Sequence, residues 1–141
     1  MKVGEIMTTG AASVRSDASL AEAARIMVDH RVSGLPVVDE RGALIGIITE
    51  GDFLPNDTRR RANPFDSLRE GGVAANLRTQ KVVDVMTADP VATDVETPLE
   101  DAIDQMQRLG VKRLPVMRDG RIVGILSRAD ILTALVRRLP A

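Results

Sequence analysis

The sequence predicts an α+β fold made of two similar half-domains, each reading β-α-β-β-α. Three observations carry the prediction: the chain repeats itself, each copy holds a helical apolar stripe, and each stripe is followed by a hairpin pattern. The repeat is plainest where "GIITEGD" at 46–52 returns as "GILSRAD" at 124–130. At an offset of 79, Met7 pairs with Met86, Thr8 with Thr87, Leu20 with Leu99, Met27 with Met106, and Leu35-Pro36-Val37 with Leu114-Pro115-Val116. One residue is then lost at a turn, and at an offset of 78 Gly46 meets Gly124, Asp52 meets Asp130 and Leu54 meets Leu132. Only two copies exist, so they are expected to pack on each other as half-domains and not to form an open array.

Taken in order, each copy opens on an extended segment and passes into a helix. Leu20, Ala23, Ala24 and Met27 form the stripe in the first copy; Leu99, Ala102, Ile103, Met106 and Leu109 form it in the second. Thr97-Pro98-Leu99-Glu100 is expected to supply an N-cap, a proline at the first helical position and a capping-box acid. The hairpin of the second copy, "LPVMRDGRIVGIL", carries Asp119-Gly120, which suits a type I′ turn; that of the first, "LPVVDERGALIGII", has a turn one residue longer. "ADILTALVRRL" closes the second copy as an amphipathic helix, and its counterpart after Asp52 is stopped early by Pro55. The organisation expected is a first repeat over 1–54, a linker over 55–80 and a second repeat over 81–141. Arg59-Arg60-Arg61 in the linker reads as a solvated charge run.

Composition narrows the function. The 141 residues can bury a real core, and no segment approaches the ~18 to 20 apolar residues of a membrane span. With no signal-like N-terminal run either, a cytoplasmic protein without membrane partners is expected. A net charge of −1 speaks against a nucleic-acid partner held through phosphates, and Phe53 and Phe65, the only aromatics, make no stacking platform for bases. The absence of cysteine and the single His30, read as a helix-end residue, leave no metal cluster and no nucleophile–base pair, so catalytic residues are not expected.

Thr49-x-x-Asp52 and Ser127-x-x-Asp130 each have the form of a capping box at a strand-to-helix junction. Kept in both copies, the pair also suits a ligand: a carboxylate at such a mouth can accept two hydrogen bonds from a vicinal diol, as acidic residues do with nucleotide ribose elsewhere.

The order "MT…LPVV…G…hG-I-h-(Thr/Ser)-x-x-Asp", written twice over nearly the whole chain outside the linker, resembles a tandem pair of CBS domains, the Bateman module. The resemblance implies two units packed through their sheets with pseudo-two-fold symmetry, related clefts for adenosine-containing ligands (AMP, ADP, ATP, S-adenosylmethionine, NAD), and a homodimer. It implies a regulatory module with no catalytic domain in this sequence, acting on an unknown regulated protein. Position by position, Thr49, Asp52, Ser127 and Asp130 match ribose-binding positions, and Ala12, Val32, Val91 and Val111 match the lining of adenine pockets. In nucleotide-sensing members a basic pair before Leu-Pro reaches phosphates held by the other repeat. Here that pair is Lys112-Arg113, with Ser33-Gly34 as its counterpart, so the Asp52 cleft is expected to gain two cations. Glu50 opposes that assignment, while Arg128 could aid phosphate binding in the second motif. The alternative is a dimerisation module whose motifs survive as caps. Met27, Met106, Leu132, Leu135 and Val136 are expected to offer apolar surface to a second chain.

Overall fold

The structure, a computed structural model, describes residues 1–9, 12–53 and 77–140. Leu54, the Pro55 stop and Arg59-Arg60-Arg61 lie outside the described residues. In chain order the elements are α1 (Val3–Ile6), β1 (Thr8–Thr9), β2 (Val14–Arg15), α2 (Leu20–His30), β3 (Gly34–Val38), β4 (Leu44–Thr49), a 3-10 turn (Glu50–Phe53), α3 (Val82–Val85), β5 (Thr87–Ala88), β6 (Thr93–Asp94), α4 (Leu99–Leu109), β7 (Arg113–Arg118), β8 (Arg121–Ser127) and α5 (Arg128–Arg137).

The chain forms two compact units, one of Ala12–Pro90 and one of Met1–Ala11 with Val91–Ala141. Each holds a four-stranded sheet, ordered β2-β3-β4-β5 in the first and β1-β8-β7-β6 in the second. The opening segment of each repeat is therefore divided. Its short helix and first two-residue strand complete the unit built mainly from the other repeat, and only its second strand joins its own. Hydrogen bonds mirror each other across this exchange: Val3 N–H donates to Thr97 O as Val82 N–H does to Ala18 O, and Leu99 N–H donates to Met1 O as Leu20 N–H does to Gln80 O. Lys2 Nζ also donates to Glu96, which raises the lysine pKa.

Each helix presents its stripe to its own sheet. Leu20, Ala23 and Met27 of α2 pack with Leu35, Val37 and Ile48, and Val82 of α3 joins them; Ala102 and Met106 of α4 pack with Leu114, Val116 and Leu126, with Val3 of α1. Met27 and Met106 are thus core residues, and the expectation that they offer surface to a second chain is corrected: helical spacing turns both inward onto the sheet. Leu132, Leu135 and Val136 are exposed.

The predicted start of α4 also shifts. Pro98 is its N-cap, without a side-chain cap, and Leu99 its first residue. The Thr97 hydroxyl instead accepts a hydrogen bond from Asp94 N–H at 3.3 Å, closing the turn before the helix. Ser19 caps α2 by accepting from Glu22 N–H. Both hairpins have the predicted turns. Asp119 and Gly120 have φ of 51° and 78°, as a type I′ turn requires, while the longer turn places Gly42 at φ 83° and ties Arg41 and Ala43 N–H to the Asp39 carboxylate.

Gly46 in β4 and Gly124 in β8 are where the exchanged strands dock, opposite Ala88 and Thr9. A Cβ at Gly124 would lie 2.7 Å from Met7 Sδ and 2.8 Å from Thr8 O; at Gly46 it would meet Met86 Sδ at 2.5 Å and Thr87 O at 3.0 Å. Because a backbone oxygen is among the neighbours, rotating the methionine cannot relieve the clash. Gly124→Ala is therefore expected to cost about 1 to 3 kcal/mol of stability, as overpacking of a close contact does. Urea denaturation measures the loss, and an unchanged midpoint would contradict the close approach.

Candidate functional site

A strand that ends on a hydroxyl residue and turns at once into a helix leaves the first N–H groups without partners, and an acid three residues on can face back to them. At 127–130 this is realised fully. Ser127 N–H and Oγ–H donate to Asp130 Oδ2 at 2.9 and 3.1 Å, and Asp130 N–H donates to Ser127 Oγ at 3.2 Å. The other oxygen, Oδ1, accepts from Thr8 Oγ1 at 2.9 Å. The capping box read in the sequence is thus present and opens α5.

The first copy is built alike but less completely. Thr49 N–H donates to Asp52 Oδ2 at 2.8 Å and Thr49 Oγ1 lies 3.4 Å from the same oxygen. Among the described residues, no hydrogen bond reaches Oδ1. A cavity of about 580 Å³ lies beside this junction, lined by Met27, Val28, Arg31, Val32, Glu50 and Phe53 among others. It suits a flat apolar ring near polar groups, the usual balance of a small-molecule pocket. The Asp130 junction has a smaller cavity of about 390 Å³, reached by Glu5, Met7, Arg137 and Arg138.

The remaining candidate residues fall as follows. Val32 and Ala12 are half-buried against the core of their unit, and Val111 against that of the other. Val91 is 41% exposed and joins neither core. Val32 and Val111 occupy equivalent places after helix ends that turn through αL, at Arg31 (φ 54°) and Gly110 (φ 66°). Arg113 opposes Ser127 in the β7–β8 register, and Arg128 N–H donates to Lys112 O. The basic pair therefore lies beside the Ser127–Asp130 junction of its own unit, as Ser33-Gly34 lies beside Thr49, where Gly34 pairs with Thr49 and Glu50 N–H donates to Ser33 O. His30 Nδ1 is 3.0 Å from Ile26 O in the last turn of α2, the helix-end place expected for it. No group of acids and histidines among the described residues could hold a metal ion. No helix among them is long and apolar enough to cross a membrane.

Thr8 is the residue that the sequence did not mark. Its signal was available in the repeated Met7-Thr8 and Met86-Thr87, but nothing local ties residue 8 to residue 130.

The CBS domain profile matches residues 3–56 and 82–137. The chain belongs to the CBS domain family. It is 33% identical over 132 residues to the inosine-5'-monophosphate dehydrogenase of Methanocaldococcus jannaschii, covering 93% of this chain but only 23% of that protein. CBSX2 of Arabidopsis thaliana, crystallised in complex with AMP, superposes with a TM-score of 0.78 at 28% identity and covers 99% of each chain. The CBS domain pair of protein MJ0100, in complex with 5'-methylthioadenosine and S-adenosyl-L-methionine, gives 0.76 at 25% identity and covers 99% of this chain and 98% of that one.

The two junctions differ in what they hold together. Ser127→Ala removes a full N-cap from a ten-residue helix, and a loss of about 1 kcal/mol is expected. Thr49→Ala opens only a 3-10 turn and should cost less. Guanidinium unfolding of the two variants gives the order, and an equal or reversed order would contradict it.

Proposed function

We propose that this CBS pair is a non-catalytic regulatory module that binds an adenosine-containing ligand, with Asp52 and Asp130 accepting hydrogen bonds from ribose hydroxyls. The observation that carries the proposal is the Asp52 junction. One carboxylate oxygen is fixed by Thr49 N–H, the other receives no hydrogen bond among the described residues, and a cavity lined by Val32 and Phe53 as well as Arg31 and Glu50 lies alongside. The AMP bound to CBSX2, and the methylthioadenosine and S-adenosylmethionine bound to the MJ0100 pair, support the choice of ligand class. Ala12, Val32, Val91 and Val111 would meet the base through backbone and aliphatic contacts. Lys112, Arg113 and Arg128 would answer phosphate charge, a task suited to charge-assisted hydrogen bonds. Binding then changes a state that a regulated protein reads.

Calorimetric titration tests this. Asp52→Ala is expected to weaken both adenosine and AMP by ~1 to 3 kcal/mol, whereas Arg113→Ala should weaken AMP and leave adenosine nearly unmoved. Equal losses for the two ligands in Arg113→Ala would remove Arg113 from the phosphate site. In thermal unfolding, a ligand present at 100 times its dissociation constant should add about 2.7 kcal/mol. No shift with AMP, ADP, ATP, NADH or S-adenosylmethionine would defeat the proposal for these ligands.

A second reading, a dimerisation module without ligand affinity, draws on α5, whose Leu132, Leu135 and Val136 are all more than half exposed. We assign this face to a second copy of the chain, since a helix face can pair with itself about a two-fold axis and a net charge of −1 offers little repulsion. Light scattering at micromolar concentration should give twice the chain mass, and Leu132→Asp with Leu135→Asp should return it to one. A single-chain mass for the unaltered protein would rule the pairing out.

A further inference from the structure

Both oxygens of the Asp130 carboxylate are engaged. Ser127 holds Oδ2, and Thr8 donates its hydroxyl to Oδ1 at 2.9 Å. Thr8 stands in β1 opposite Ile125 of β8, so the exchanged strand carries a hydroxyl to a carboxylate 122 positions away. Among the described residues, Thr87 makes no such bond to Asp52, although β5 pairs with β4 in the same way and Thr87 lies opposite Ile47. A secondary alcohol donating to a carboxylate oxygen is chemically what one ribose hydroxyl offers, so the Thr8 hydroxyl takes up at Oδ1 a lone pair that a ribose hydroxyl would otherwise use, whereas Oδ1 of Asp52 carries no such bond among the described residues.

We infer that Thr8 is a built-in competitor for the ribose at Asp130, which makes that site weaker than the Asp52 site until the Thr8 hydroxyl leaves. The inference rests on the ribose reading of the two carboxylates and adds a specificity-determining residue to it. Threonine is stiff at χ1, so departure of the hydroxyl requires another rotamer or a shift of β1. β1 pairs at Thr8↔Ile125 and Thr9↔Gly124 and packs closely on Gly124, while the Thr8 side chain is exposed, so a change of rotamer is the easier route. Apparent affinity at Asp130 is then the intrinsic affinity multiplied by the fraction of molecules in which Thr8 has let go.

Adenosine is titrated into Asp52→Ala, which isolates the Asp130 site, with and without Thr8→Val, and into Asp130→Ala with and without Thr87→Val. Thr8→Val removes the hydroxyl and keeps the shape. It is expected to tighten adenosine roughly three- to tenfold, the worth of one net hydrogen bond, while Thr87→Val changes nothing. Thr8→Ser, which keeps the hydroxyl, should bind no tighter than the Asp52→Ala parent, separating the hydroxyl from any effect on packing. Weaker or unchanged binding in the Thr8→Val variant would overturn the competitor role; weaker binding would make Thr8 a direct contact to the ligand instead. Loss of adenosine binding from Asp52→Ala and Asp130→Ala alike, with and without the valine substitutions, would overturn the ribose reading as well, which separates the two failures.

Discussion

A backbone approaching a backbone at a glycine is the contact on which each sheet depends. β4 and β8 accept their fourth strand because Gly46 and Gly124 have no Cβ, and Met86 and Met7 fill the space a side chain would have taken. The methionine is suited to the place, being unbranched and able to follow an irregular gap. The donated segment also brings Val82 or Val3 into a core and ties its short helix to the turn ahead of α2 or α4. Close packing, core composition and backbone hydrogen bonds all converge on the same few residues.

Much of this fold was legible because its signals are local. The stripes of α2 and α4, the type I′ turn at Asp119-Gly120 and the longer turn ending at Gly42 depend on neighbours within a few positions. What was not legible depends on distance. Periodicity cannot say that β1 and β2, close in sequence, join different sheets, and two-residue strands are too short to show a period at all. Pro36 sits in the predicted strand β3 without loss, because β2 pairs only with Val37 and Val38 and the missing N–H breaks no ladder bond there.

The candidate site divides along the same line. Thr49 with Asp52 and Ser127 with Asp130 were readable because the partners stand three positions apart, and in the second motif one carboxylate oxygen serves the cap while the other accepts from Thr8. The αL helix end at Arg31 was hidden for another reason. Gly110 advertises that backbone in the second copy, but an arginine tolerates it in the first at a modest conformational cost. The cavity beside Asp52 follows from this corner, since Arg31 and Val32 both line it.

The exchanged segments also set an order of events during synthesis. Residues 8 and 9 are made well before Gly124 and Ile125, so the strand they form has no partner until those residues have followed. Contacts spanning so much of a chain form slowly because closing the loop must precede any gain from pairing. The nascent chain therefore carries β1 unpaired until β8 is made, whereas β5 finds β4 already in place when it emerges. The two units, alike in sequence and in sheet order, are completed by opposite schedules: one as soon as β5 follows β4, the other only once β8 has been made.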